Sequence, residues 1–335
     1  MKGSRTMRKI KGFILLSIGL LIFLSACGTG GTSKISIGEV TRSVFYTPMY
    51  VAVEEGFFEE EGLEIDLQTT WGGDTTMTTL LSDGIDIALV GAETSIYVYA
   101  QDSKDYAINF AQLTQTDGTF LVAKEEKPDF TWEDLRGENF LGQRVGGMPQ
   151  MVGEYVLKKH GVDPHADVNL DQSVDFANIP SAFASGDYEY VQLFEPTASV
   201  FEREGTGHIV ASFGEESGTV PYTGFMAKQS YMDKNEETVL KFTKALYKAQ
   251  AWVQETDAMT LAEIVSPYFE DTDIELLASS IERYKNQDSF ATDPLLDKEE
   301  WEQLKTIMDE AGELPEDVPY EELVNTEFAE KVIND

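Results

Sequence analysis

The sequence predicts an α/β protein of two lobes, each an open, mainly parallel sheet flanked by helices, joined by a two-strand hinge. Three observations carry that expectation. From Lys34 onward, short apolar runs alternate with helical stretches, as in βα units whose helices cover both faces of a sheet. This rhythm breaks twice, near 109–124 and near 213–225, and the stretch between the breaks is too long for a loop. The length, 335 residues with 42% hydrophobic, fits about two domains of roughly 150 residues each.

The first 26 residues hold five basic side chains (Lys2, Arg5, Arg8, Lys9 and Lys11) and no acidic one. An uncharged run from Gly12 to Ala26 follows, giving the layout of an export signal. That run is short for spanning ~30 Å of hydrocarbon as a permanent helix. Leu24-Ser25-Ala26-Cys27 resembles a bacterial lipobox, and Cys27 is the single cysteine of the chain. The expected arrangement is a signal peptide over 1–26, lipidation of Cys27, and a flexible Gly/Thr/Ser tether over 27–33. The protein would then be held at the cell membrane by its acyl chains, facing outside the cytoplasm.

In the body, Ile35, Ile37 and Val40 make a first strand, and Pro48–Glu55 a helix with Pro at its start and Gly56 at its end. Leu63, Ile65 and Leu67 alternate as a second strand after Gly62. Asp74 is expected to cap a helix that ends at Gly84. Ile85–Val90 reads as a third strand, turning through Gly91–Ser95 into a helix that reaches about Gln101. Two strand-like runs flank Thr114–Gly118 as hinge segments. The alternation resumes through Trp132–Gly137, Arg144–Gly147, a helix Gln150–His160 and a strand Tyr190–Phe194. The expected lobes are 34–117 plus 219–335 for the first and 118–218, inserted, for the second. The last third is helical and acidic. It holds Asn235–Glu255 and a helix begun by Asp297 with Glu300 three residues on, burying Trp301, Leu304 and Met308 and ending at Gly312.

Composition excludes several functions. The 25 basic residues face 60 acidic ones, a net charge of −35, which repels nucleic-acid backbones and anionic lipid head groups. One cysteine and three scattered histidines (160, 165 and 208) leave no Cys- or His-based metal site, and no cofactor is expected. His160 and His165, flanking a Gly-Val-Asp-Pro turn, read as solvated. Neither a Walker pattern nor a G-x-S-x-G elbow is present, and no nucleophile–base pair can be named.

Ligands in open α/β sheets bind beyond the carboxyl ends of strands, at loops leading into helices. Such loops offer Arg42, Phe45, Tyr46 and Thr47; Trp71, Gly72, Gly73 and Asp74; Gly91, Glu93 and Thr94; and Gly147, Met148 and Gln150. The connecting segments add Gln115, Thr116, Asp117 and Tyr222. Glu195, after the strand Tyr190–Phe194, either accepts hydrogen bonds from a ligand amino group or caps the helix that follows. Trp71 and Tyr46 could sandwich a planar ligand. Acidic side chains outnumber basic ones in these loops, Arg42 being the one cation placed there, which favours a neutral or amine-bearing heterocycle over a free sulfonate.

Several stretches resemble a known family. Thr47-Pro48-Met49-Tyr50-Val51-Ala52-Val53-Glu54-Glu55-Gly56-Phe57-Phe58, followed by Glu61-Gly62-Leu63, looks like the opening of the nitrate/sulfonate/taurine and thiamine-pyrimidine family of ABC-transporter substrate-binding proteins. Leu80–Ala88, Asp134-Leu135-Arg136-Gly137, Phe194-Glu195-Pro196 and Ala291-Thr292-Asp293-Pro294 resemble later segments of the same family. The resemblance implies a type II periplasmic-binding-protein-like fold in a monomer. It further implies a small-molecule ligand held between the lobes and delivery to an ABC permease and its ATPase. Pyrimidine-binding relatives often carry W-x-P-N-x-x-H after the first strand; the corresponding loop here, Thr41–Pro48, has neither Asn nor His. One branch of the family consists of enzymes that build the thiamine pyrimidine with a cysteine cluster and a histidine, so an exported enzyme is the alternative reading. The lone Cys27 removes that chemistry.

Overall fold

The structure, a computed structural model, describes residues 32–335. The expected signal segment, Cys27 and all but the last two residues of the tether lie outside them. Among the described residues no helix is long and apolar enough to cross a membrane.

Two five-stranded sheets organise the chain. The first contains β1 (Ser33–Glu39), β2 (Leu63–Thr69), β3 (Ile87–Gly91), β4 (Ala107–Thr114) and, much later, β10 (Thr223–Lys228), in the order β2-β1-β3-β10-β4. The second contains β5 (Thr119–Ala123), β6 (Asn139–Leu141), β7 (Asn169–Asp171), β8 (Tyr190–Phe194) and β9 (His208–Ser212), in the order β7-β6-β8-β5-β9. β10 runs antiparallel to both its neighbours, and so does β5. The other strands of each sheet therefore point one way. In each sheet the reversed strand is the one that arrives from the other lobe, so a two-lobed molecule is stitched by two crossings, β4 to β5 and β9 to β10.

Local sequence explains most boundaries. Ile35 and Ile37 are buried on β1, which pairs in parallel with β2 and β3. The helix Thr47–Glu54 starts on its Pro and buries every residue from Thr47 to Ala52, so it is a core helix with no wet face along its first turns. Gly56 and Gly62 take left-handed backbone, φ 72° and 75°, that a side chain would resist. Asp74 does not cap the next helix. That helix runs Gly73–Leu81 and is preceded by Gly72 at φ 132°, a conformation open only to glycine, so the helix begins before Asp74, which falls in its first turn. Val40 likewise lies just past β1, at the start of the loop.

The acidic carboxyl-terminal third is helical. Glu236–Glu255 packs on Thr47–Glu54 and on Glu327–Asn334. Asp297 caps Lys298–Ala311 by accepting from the Glu300 amide at 2.9 Å, and Gly312 at φ 76° ends it. Trp301, Leu304, Ile307 and Met308 form its buried stripe. This helix touches both the helix Glu93–Tyr99, after β3, and the helix Met148–Lys159, after β6. Ile274–Asn286 similarly touches Val44–Tyr46 and Thr197–Glu204. The terminal helices therefore brace both lobes.

Candidate binding cleft

The carboxyl ends of the parallel strands in the two sheets converge on a cavity of about 460 Å³. Volumes of this order hold small organic ligands. From the first sheet come Val40 and Thr41 after β1, Trp71–Thr75 after β2, and Val90, Gly91, Glu93 and Thr94 around the end of β3. The second sheet contributes Gln143, Arg144 and Gly146–Pro149 after β6, Asp175–Asn178 after β7, and Phe194 at the end of β8. Tyr222 and Thr223 enter from the return crossing.

Of the residues singled out from sequence, Tyr46, Trp71, Gly72, Gly73, Asp74, Gly91, Glu93, Thr94, Gly147, Met148 and Tyr222 line this cavity together. Trp71 is a large aromatic residue with 62% of its surface exposed and sits at φ 58°, a backbone region that disfavours bulky side chains. Its ring stands at the wall of the cleft rather than in the core. Tyr46 is buried beneath, and burial raises its hydroxyl pKa well above the ordinary value.

Glu93 is the most unusual group in the wall. It is 4% exposed; its Oε1 accepts from the Met148 amide of the second lobe at 3.3 Å, and its Oε2 has no hydrogen-bond partner. Burial pushes its pKa up to about 8, against the pull of backbone amides, with Asp74 adding a smaller push in the same direction. Gly91 makes this posture possible: a Cβ there would lie 2.1 Å from Glu93 Oε2. At the mouth, Arg144 pairs with Asp74 at 2.8 Å, a second link between the lobes, and that hydrogen bond holds the Asp74 carboxyl below its usual range.

The remaining predicted residues lie away from the cavity wall, each with another partner. Arg42 pairs with buried Glu39 at 3.1 Å and lies over the rings of Tyr50 and Tyr268. Thr47 donates to the Val44 carbonyl at 2.6 Å, and Phe45 packs among Tyr46, Phe194, Tyr222 and Tyr284. Gln115, Thr116 and Asp117 belong to the outgoing crossing. The first two bond to Asp288 and Ser289, while buried Asp117 accepts from the Thr119 amide at 2.6 Å and is pushed up to about 6 by burial. Gln150 bonds within its own helix to Glu154 at 2.7 Å.

Glu195 accepts from the Ser199 amide at 2.9 Å and the Ser199 hydroxyl at 2.7 Å, and pairs with Arg283 at 3.3 Å. Of its two sequence-based roles, the bonds to the following helix are the ones present. His160 stacks on Trp132 and meets Glu216 at 2.9 Å, and His165 meets Glu154 at 3.1 Å. His165 is exposed as expected, besides having this partner, whereas His160 is only part-exposed. Sequence reasoning missed Gln143, Arg144, Asp175, Phe176 and Asn178 as cleft residues. They follow the three-residue strands β6 and β7, whose short, partly polar runs carry little strand signal.

Among the described residues no group of three or more His, Cys, Asp or Glu could hold a metal ion. Known proteins resemble this chain along most of its length. The chain is 63% identical over 320 residues to YtlA of Bacillus subtilis (strain 168), a binding protein by name, covering 95% of this chain and 96% of that one. It is 23% identical over 330 residues to the formylaminopyrimidine-binding protein of Halalkalibacterium halodurans, covering 90% and 94%. Its fold matches that of the nitrate-binding protein NrtA from Synechocystis (TM-score 0.70, 17% identity, 91% and 89% covered). It also matches that of the alkanesulfonate-binding protein SsuA from Xanthomonas axonopodis (0.68, 16%, 89% and 99%). The model of the NMT1-like family matches residues 30–266, most of the chain, and this protein therefore belongs to the NMT1-like family.

Proposed function

We propose that the protein is the extracytoplasmic solute-binding component of an ABC importer. Anchored through a lipid on Cys27, it captures a small polar organic solute between its lobes, 34–117 plus 219–335 and 118–218, and presents it to a permease and its ATPase. The observation that carries this reading is the cavity itself, walled by strand ends from two sheets joined by two chain crossings. A solute touching both walls stabilises the closed arrangement, because an open one offers only half the contacts. The near full-length identity to a relative named as a binding protein supports binding rather than turnover.

Within that function, an aminopyrimidine-like heterocycle fits the wall better than a sulfonate. Aromatic faces are supplied by Tyr46, Trp71, Phe176, Phe194 and Tyr222. The one Arg or Lys lining the cavity, Arg144, is paired with Asp74, and Glu93 adds a buried carboxyl. Native mass spectrometry of protein purified from its own host, with small-angle scattering across a metabolite panel, tests the reading. An intact retained heterocycle and a more compact profile with it are expected. Superimposable profiles with no retained molecule and no rise in Tm across the panel would refute it.

A further inference from the structure

We propose that Glu93 determines which solute the cleft accepts: its Oε1 holds the second lobe, while its Oε2 shares one proton with a basic ring nitrogen of a neutral, planar heterocycle. This inference rests on the binding reading above and names the chemistry of its site. Three observations converge on Glu93. It is almost fully buried, its Oε2 is unpartnered, and it forms part of the cavity wall. A buried polar atom without a partner is destabilising, and a guest that supplies the partner removes that cost. The other oxygen is already engaged by the Met148 amide, so only Oε2 is offered.

The surroundings say what kind of partner is wanted. The charged and titratable groups facing Glu93 are Asp74 with its partner Arg144, and the hydroxyls of Tyr46, Tyr97 and Tyr222. The cation among them is already paired, so the carboxyl is most stable carrying its own proton, in keeping with a pKa near 8. A neutral carboxyl offers an O–H donor to a ring nitrogen, and the complex holds one proton whether it sits on oxygen or nitrogen. No proton is taken up or released on binding near neutrality. A sulfonate or nitrate has no basic nitrogen with which to share that proton, and it brings a net negative charge that no unpaired Arg or Lys in the wall offsets. A Cβ on Gly91 would lie 2.1 Å from Oε2, so glycine at that position leaves the carboxyl its place in the cavity wall.

The test is titration calorimetry with 4-aminopyrimidine and, separately, ethanesulfonate and benzamidine, on wild type, E93Q and E93A between pH 7 and 9.5. Here 4-aminopyrimidine is neutral throughout. Its wild-type affinity should be flat to about pH 8 and then fall, approaching tenfold per pH unit. E93Q, which keeps an acceptor for the Met148 amide and gains an N–H donor, should bind with no fall above pH 8. E93A should lose at least tenfold at pH 7, and circular dichroism checks that both variants are folded. The inference is overturned if affinity rises with pH, if the amidinium of benzamidine is preferred, if E93Q keeps the wild-type profile, or if no aminopyrimidine binds. Tight binding of ethanesulfonate instead would overturn the inference while leaving the importer reading intact. If the variants do not fold, the wild-type pH profile alone decides.

Discussion

At the scale of single residues, the cleft depends on a carboxyl kept where water cannot reach it. Glu93 is more basic folded than unfolded, so the folded state holds an extra proton between the ordinary carboxylate range and about pH 8. That contribution to stability is complete at low pH and is lost as pH rises toward 8. Asp117, pushed up to about 6, acts in the same sense over a lower window. Ligand-free E93Q should therefore show a smaller drop in Tm from pH 6 to 8 than wild type, as read by calorimetry, while the fall below pH 6 persists. Gly91→Ala should be more damaging than its size suggests, because the added methyl meets the Glu93 carboxylate. A loss of about 1–3 kcal/mol in denaturant unfolding is expected, along with weakened guest binding. The two arginines show the limit of reading residues singly. Arg42 follows the first strand and is the cation the sequence places in the cleft, yet buried Glu39 and two tyrosine faces occupy it. Arg144, which does reach the cleft, follows a strand of three residues.

At the scale of elements, loops between strand ends and helix starts were legible because glycines mark them: Gly72–Gly73, Gly91 and Gly146–Gly147 all fall on the cavity wall. The Phe-Glu-Pro turn was legible as a turn, but its chemistry was not. Glu195 has Ser199 and Arg283 as partners, all of them supplied by helices, and none of these bonds points into the cleft. Glu195→Ala should cost about 2 kcal/mol, since it strips buried hydrogen bonds and leaves Arg283 with Glu202, at 3.6 Å, as its remaining carboxylate partner. Chemical denaturation should show that loss while Kd for any identified guest stays within about twofold. Gly118 lies in the outgoing crossing, where a Cβ would sit 2.8 Å from the ring of Phe45. Gly118→Ala should lower stability by about 1–3 kcal/mol and, if the proposed closure turns on this crossing, alter the change in scattering profile on guest binding.

At the scale of the whole molecule, 60 acidic side chains against 25 basic ones repel one another across the surface. Ion pairs such as Lys244–Glu61 at 2.6 Å and Lys298–Glu321 at 2.7 Å relieve little of this, being largely exposed. Added salt screens the repulsion over a Debye length of about 10 Å at 0.1 M. Raising NaCl from 0.05 to about 1 M should raise Tm by several degrees at neutral pH, and a flat or falling curve would argue against a surface-charge penalty. The two-lobed plan was legible at this scale from the breaks in the strand–helix rhythm. The bracing of both lobes by the terminal helices was not, because a buried stripe such as Trp301–Met308 shows that a helix packs, not against what.

The sequence by itself determined most of the strands and helices, the two crossings and the cleft loops that glycines mark, but not the loops after the three-residue strands β6 and β7. Period, glycine and proline act locally, and their geometry is set within a few residues. Tertiary structure decided which polar side chains have partners: it engaged Glu195 elsewhere, satisfied Arg42 and Asp117 in part, and left one oxygen of Glu93 in the cavity wall unpartnered. Whether a charge is satisfied depends on groups brought together from distant parts of the chain, and no local pattern encodes that distance.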